Sequence, residues 1–359
     1  MIVREATFDD YEGIMAVRRG CGLTERDRAS WEHHWTANPH WDPSAPIGWV
    51  IEDSEGRILG TFVSIPVAYQ LGGQRLIAGV GNSYAVLPEA RKQSLKIVTE
   101  FCNQEHVDLL LSSTPAPMVA ELLQKLFGAK RAPYPADTGI LNWITNYHGF
   151  AGALLRRKAG PLGGPLGYVA GPTLWTADLL RRRSLYGSCR HEVEQLDEFD
   201  DRFDTFWAKL AGTNDGLLAV RDRETLSWHF PAAYMPGRVI LALVQVGELL
   251  GYAVLIRKDQ ESVGLKRFRI CDLQTVEDDP ACVESLLSAA IGTARRNGIH
   301  MVEVMGFDRF ARGVCERLRP YRRQGGMRCL YWPKNPDLTE PLADENVWAL
   351  SPYDGDNSL

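Results

Sequence analysis

The sequence predicts an α+β protein built from two similar halves, each a mixed, mostly antiparallel sheet flanked by helices. Three observations carry the prediction. A set of residues recurs across the chain at a fixed offset. Within the first half, apolar runs joined by tight turns precede a helix–strand–helix series. The length, 359 residues, suits about two domains. With 45% hydrophobic and 24% charged residues and a mean hydropathy of −0.21, the chain can bury two cores and is not a disordered one.

The repeat is the most informative feature. Ile97, Thr99, Asn103 and His106 recur as Ile291, Thr293, Asn297 and His300, all shifted by 194. Each set spans a helix-like stretch that leads into an apolar run, HVDLLLSST at 106–114 and HMVEVMGFD at 300–308. Upstream, GRILGTFVSI at 56–65 matches GELLGYAVLI at 247–256 with a shift of 191, and Ser30-Trp31 matches Ser227-Trp228 at 197. Insertions in the loops of duplicated elements produce such drift. The copies are placed at 1–145 and 190–335. Between them, 146–189 holds a Gly- and Pro-rich run at 159–180, flanked by Arg156, Arg157 and Lys158 and by Arg181, Arg182 and Arg183. That density of helix-breaking residues predicts a linker packed along the seam. Residues 336–359, acidic and Pro-containing, are expected to be loosely held.

Within the first copy, residues 2–7 alternate as a short strand. Asp9 and Asp10 suit the start of a helix through Tyr11, Ile14 and Val17. Trp31, His34, Trp35 and Trp41 fall in a second helical or loop region ending near Pro39. Residues 47–53 and 58–71 read as strands joined across Ser54-Glu55-Gly56. A third strand over 75–87 follows Gly72-Gly73. A helix over 94–104, a strand over 107–113, a helix over 117–127 and a strand over 139–145 complete the copy.

Charge and cysteine usage narrow the function. A net charge of −5 and a pI of about 6.0 argue against a nucleic-acid binder held by phosphate contacts. The start, MIVREATFDD, lacks a secretion-signal pattern, and no 18-residue apolar run suggests a membrane span. Seven cysteines, at 21, 102, 189, 271, 282, 315 and 329, show no CxxC spacing. Reduced thiols, a cytoplasmic location and no metal site are the expectation.

Leu59-Gly60 in the second hairpin strand and Val86-Leu87-Pro88-Glu89-Ala90-Arg91 after the third, set in this order of elements, carry a family likeness. On them the chain resembles the GNAT acyltransferase superfamily over most of both copies, as a tandem of two GNAT-like domains. The resemblance implies a seven-strand sheet split by a V-shaped opening, acetyl-CoA or another acyl-CoA as donor, and an amine acceptor. It also implies a pyrophosphate-binding run, Arg/Gln-x-x-Gly-x-Gly/Ala, whose bare backbone N–H groups cradle phosphate at a helix start. The matching run is Arg91-Lys92-Gln93-Ser94-Leu95-Lys96, with Ser94 and Lys96 where the pattern has small residues. The donor's pantetheine arm is implied to pair with Tyr84-Ala85-Val86-Leu87. In the second copy Glu277, Asp278, Asp279 and Glu284 occupy the equivalent place and would repel a pyrophosphate. The donor is therefore expected in the first copy.

Acyl transfer to an amine is helped by a base for the acceptor, an acid near the leaving thiolate and a hydrogen-bond donor at the thioester oxygen. Glu32 and His34 are candidate bases, in a Trp- and His-rich stretch that the resemblance places at the acceptor site. The alternative is an aromatic packing helix with solvated polar positions. Ser112, beside Ser113, either positions water or thiolate or is an ordinary strand-end serine. Asp272 either faces the second copy's cleft or caps a strand end. Tyr134 and Tyr321 are weaker candidates for the acid. The expected function is acetyl or other acyl transfer from acyl-CoA to a small-molecule amine or amino sugar, by direct attack in a ternary complex, in a monomer or homodimer. Two alternatives remain: a non-catalytic ligand-binding or scaffold protein of this fold, and a transferase using aminoacyl-tRNA or acyl-carrier protein.

Overall fold

The long hairpin of residues 58–86 organises the first sheet. Its strands, β3 (Ile58–Leu71) and β4 (Gln74–Val86), bury most of their side chains, and Gly72 and Gly73, both at positive φ, make the turn. Around it, in a computed structural model that describes residues 1–134, 139–160, 163–181, 191–355 and 358–359, lie β1 (Ile2–Glu5), α1 (Tyr11–Gly20), α2 (Arg28–Thr36) and β2 (Gly48–Glu52). Next come α3 (Ser94–Asn103), β5 (Leu109–Ser112), α4 (Pro117–Phe127) and β6 (Lys130–Arg131). The chain continues through β7 (Ile140–Ile144), α5 (Tyr147–Ala159) and α6 (Gly163–Leu180). The second half holds β8 (Val193–Leu196), α7 (Arg202–Thr213), β9 (Leu218–Ala219), α8 (Arg223–His229), β10 (Val239–Gln245) and β11 (Glu248–Arg257). It ends with β12 (Arg267–Thr275), α9 (Pro280–Arg296), β13 (Met301–Val304), α10 (Arg309–Arg317), β14 (Tyr321–Arg323) and β15 (Leu330–Pro333).

Among the described residues the strands form two mixed sheets. One runs β1-β2-β3-β4-β5-β15-β6, with β9 paired to β3; the other runs β14-β7-β13-β12-β11-β10-β8. Each is therefore completed by the other half. Strand β7 lies between β13 and β14, with Ile144 opposite Met301, and β15 lies between β5 and β6, with Leu330 opposite Ser112. Boundaries at 145 and 190 divide the chain but not the sheets. The repeat is visible in three dimensions: Ile97 of α3 and Ile291 of α9 are both fully packed, and β4·β5 and β12·β13 are the parallel pairs. A central core is shared, with Ile14, Trp31 and Trp35 of the first half packed with Phe203, Leu226 and Tyr252 of the second. Separate outer cores lie under α3 and under α9 and α10.

Two expectations are corrected. Much of the segment read as a linker is a helical hairpin, α5 packed on α6, with α6 continuous through Pro172. Gly163, Gly167 and Gly171 recur every fourth residue and are all buried; a Cβ on Gly167 would sit 2.5 Å from the Gly152 nitrogen. Close backbone packing offsets the poor helix propensity of these residues. Arg182, Arg183 and Cys189 lie outside the described residues. The segment after 335 is also not loosely held. Leu350, Pro352, Tyr353 and Asp354 are buried at the centre of the molecule. Phe307 N–H donates to the Leu350 carbonyl at 2.7 Å, and the Tyr353 hydroxyl donates to the Val220 carbonyl at 2.8 Å. Its acidic composition concealed a few apolar residues spaced to enter the shared core. No helix among the described residues is long and apolar enough to cross a membrane.

Truncating a buried aromatic costs ~3–5 kcal/mol, so Tyr353→Ala should lower unfolding stability by about that much in urea denaturation. A loss under about 1 kcal/mol, the usual range for an exposed position, would mean that residues 350–355 are not packed in the core.

Candidate active site

The site is built by strands that part. The β4·β5 pairing ends at Val80 opposite Leu111, while β4 runs on to Val86. Just past that point the β3–β4 register shifts: Val63 faces Asn82 and Thr61 faces Ala85, so Ser83 and Tyr84 bulge out opposite a single residue. Ser83 has φ of 55°, a left-handed conformation that some bulges adopt. The divergence opens a cleft of about 600 Å³. Tyr84, Ala85 and Val86 line one wall, and Arg91, Ser94 and Leu95 at the start of α3 line another. Met118, Val119 and Leu122 of α4 close it, with Cys21 and Leu23 beyond α1. Leu23, Leu95, Met118 and Leu122 are large exposed apolar residues, and they gather at this one cleft.

Six of the ten donor-site residues read from the sequence thus line the cleft. Leu87, Lys92, Gln93 and Lys96 do not. The run expected as a loop of bare N–H groups is wound instead. Pro88–Gln93 is a 3-10 helix that continues into α3, the Ala90 N–H returns to the Leu87 carbonyl, and the Ser94 N–H returns to the Arg91 carbonyl. None of residues 88–96 takes positive φ. The physical reason is local: without glycines the run has no cheap route to an open loop, and buried Ala90 anchors it as helix. The exposed side chains of Arg91, Lys92 and Lys96 are the cations presented there.

A residue the sequence reading missed supports the bulge. Arg18 is buried, donates to the Thr24 carbonyl at 3.0 and 2.7 Å, and donates to the Ser83 hydroxyl, which in turn donates to the Asn82 side-chain oxygen. Burial lowers its pKa. A signal existed. Arg18 falls four residues after Ile14, on the face of α1 that must point inward.

The four candidate catalytic residues are not brought together, and none lines the cleft. Glu32 pairs with Arg28 at 2.6 Å on the outer side of α2. His34 is buried. Its Nδ1 lies 2.9 Å from the Trp31 carbonyl and so carries the proton, leaving Nε2 to accept from Arg26 at 2.9 Å. Burial, then the Arg26 charge, push its pKa down to about 3. It borders a 40 Å³ void shared with His33, His229 and Ser358, between the two halves. Ser112 is half-buried at the end of β5, opposite Leu330, and Ser113 is buried against Gly355. Tyr134 donates to the Phe307 carbonyl, and Tyr321 to Asp178.

Asp272, read as either facing the second copy's cleft or capping a strand end, is fully buried inside β12 and does neither. It follows the equivalent bulge, at Cys271, where Val254 faces Asp272 and Leu255 faces Ile270. Its carboxylate accepts from Arg221 at 3.0 Å, from the Tyr252 hydroxyl at 2.6 Å and from Gln274 at 3.2 Å. Arg221 in turn stacks 4.5 Å from the Tyr353 ring centre. Burial opposes the Arg221 charge, but Asp272, Tyr252, Asp354 and Tyr353 together outweigh it and raise the pKa. The space a donor would use in this half is filled by an ion pair and by residues 350–354. Elsewhere in the second half, His191, Asp279 and Cys282 place ligand-type atoms within 4.8 Å of one another, a grouping their sequence positions do not suggest. Burial, then Asp279, push the Cys282 thiol up to about 11, so it holds its proton at neutral pH.

Neither a protein-family model nor a curated protein matches the chain. Solved structures do, and they establish the fold. A GCN5-related N-acetyltransferase from Anabaena variabilis is similar over 92% of this chain and 72% of its own, at 12% identity and a TM-score of 0.56. The N-myristoyltransferase of Saccharomyces cerevisiae with bound myristoyl-CoA is similar over 92% and 82%, at 12% identity and 0.58. A conserved protein from Enterococcus faecalis, described as a probable N-acyltransferase, is similar over 93% and 73%, at 10% identity and 0.58. The chain has the tandem GNAT-like fold.

His34 gives a pH prediction. Unfolded, the imidazole titrates near 6.5; folded, near 3. The unfolded chain therefore takes up a proton that the folded one refuses, and stability falls as pH drops below about 6.5, by ~1.4 kcal/mol per pH unit for this residue. His34→Gln should reduce the slope of stability against pH between 6 and 4 by that share in urea denaturation. An unchanged slope would show that His34 is not held neutral.

Proposed function

We propose that the protein is an acyl-CoA-dependent N-acyltransferase whose donor occupies the first-half cleft. The acceptor is the amine of a small molecule or amino sugar. The observation that carries this reading is the contrast between the two bulges. The one at Ser83–Tyr84 opens on an apolar-walled cleft rimmed by Arg91, and its counterpart at Cys271 is filled.

The chemistry follows from the walls. An extended pantetheine arm can lie along Tyr84–Val86 as an added strand, held by backbone groups that β5 does not reach. Bulged residues leave the β3 ladder, so a backbone N–H there can meet the thioester oxygen as negative charge develops on it. Arg91 meets the pyrophosphate through its side chain, because the 3-10 turns have taken backbone N–H groups. Among the described residues the cleft lining holds no carboxylate and no histidine, so in this reading the acceptor amine arrives neutral or loses its proton to solvent. The similar solved structures of an N-acetyltransferase and of an N-myristoyltransferase with bound myristoyl-CoA support a CoA thioester as donor.

Calorimetric titration with acetyl-CoA, myristoyl-CoA and desulfo-CoA tests it. At least one should bind at micromolar concentration. Losing one charge-assisted hydrogen bond costs ~1.5–3 kcal/mol, so Arg91→Ala should weaken binding about 10- to 100-fold. A folded protein that binds no CoA species would overturn the reading and leave a non-catalytic role for the fold.

A further inference from the structure

A second cavity lies far from the chemistry just described in character as well as in sequence. The α5–α6 hairpin roofs a space of about 560 Å³ over β7, β12, β13 and β14 in the second half. Its walls are apolar, with Ile144 and Met301 from the sheet, Phe150 and Leu154 from α5, Leu174 from α6 and Leu265 from the loop before β12. Its floor is ionic. Glu303, fully buried, accepts from Arg267 at 3.0 Å, from Arg269 at 3.2 Å and from Arg323 at 2.8 Å.

Three guanidinium groups on one carboxylate leave an excess of positive charge. Arg267 and Arg323 of these three line the cavity, and so do Arg157 and Arg322, the last paired with Glu316 at 3.1 Å, so its walls carry four arginines and one glutamate. Both oxygens of Glu303 are already engaged by arginines. Glu303 alone does not balance Arg267, Arg269 and Arg323, and an anion in the cavity supplies a further counter-charge beside the apolar walls. One more group is unsatisfied there. Asn142 is 5% exposed and lines the cavity; its Nδ2 donates to the Ile140 carbonyl, and its Oδ1 has no partner. A buried acceptor of this kind is normally paired, and a ligand O–H or N–H beside the anionic head would satisfy it.

We propose that this cavity binds a single-chain amphiphilic anion: an alkyl or acyl tail under the hairpin, ending in a carboxylate or phosphate head at Arg267, Arg322 and Arg323. The site is separate from the donor cleft and holds whether or not the protein transfers acyl groups.

The test is calorimetric titration of the full chain, below micelle-forming concentrations, with four probes: dodecanoate, dodecyl phosphate, dodecanol and inorganic phosphate. At least one of the two amphiphilic anions should bind at one per chain. Dodecanol should bind at least tenfold more weakly, and inorganic phosphate should not bind over the same range. Arg157→Ala/Arg322→Ala leaves the three arginines on Glu303 in place; it should weaken the anions at least tenfold and leave dodecanol unchanged. Ala153→Phe places a ring in the cavity that Ala153 lines and should abolish binding of both anions and alcohol, with thermal melting checking that the chain is folded. If Ala153→Phe fails to fold, the double variant still decides. Equal binding of the anions and dodecanol, no binding of either anion, or unchanged anion binding by the folded double variant would overturn the proposal.

Discussion

Exchange of the last strand between the two halves is the constraint on which the rest of the structure depends. Without β15, the apolar strand β5, with Leu109, Leu110 and Leu111 fully buried, would end the first sheet as an open edge. Without β7, β13 would do the same in the second. Each half therefore buries its own strands only when the other is present. The shared central core follows, because the exchanged strands bring the inner faces of both sheets together. So does the path of the chain. After β7 joins the second sheet, the chain must reach β8 at that sheet's far edge, and the α5–α6 hairpin lies between the two strands in sequence.

The two halves use one backbone plan for opposite ends. Both fourth strands bulge beyond their parallel pairing, at Ser83–Tyr84 and at Cys271. In the first half the space beyond the bulge stays open and collects exposed apolar side chains. In the second it holds Arg221 and Asp272, both almost wholly buried, together with Tyr252 and Tyr353. A buried ion pair is a weak source of net stability, since desolvation opposes the attraction. Its effect here is to specify. It selects one path for residues 350–354, because Arg221 stacks on Tyr353, whose hydroxyl returns to the Val220 carbonyl.

The same contrast bears on the proposed recognition of phosphate. A helix start with free N–H groups binds an anion through groups that carry no conformational freedom of their own. The first half has wound those groups into 3-10 turns and offers long cationic side chains instead. Side-chain contacts of that kind are more exposed to solvent and more sensitive to salt. A cleft whose rim is cationic and whose walls are apolar suits a ligand that joins a charged end to an uncharged arm.

By itself the sequence determined the order of elements in the first copy, the repeat and the position of the cleft proposed for the donor. These are local properties: apolar alternation, turn residues at Gly72-Gly73, and a basic run after a strand, all read over a few residues. On them rests the resemblance to the GNAT fold. Tertiary structure alone decided the remainder. Strand exchange is invisible locally, since β7 and β15 carry the same apolar pattern whichever sheet they join. The buried state of Asp272 depends on Arg221, 51 positions earlier in the chain. The helical state of 163–180 depends on α5 lying close enough to use its glycines. His34, plausible as a base from its neighbours, is held neutral by a core to which both halves contribute. Charge and hydrogen bonding act between groups brought together through space, and a sequence orders groups only along the chain.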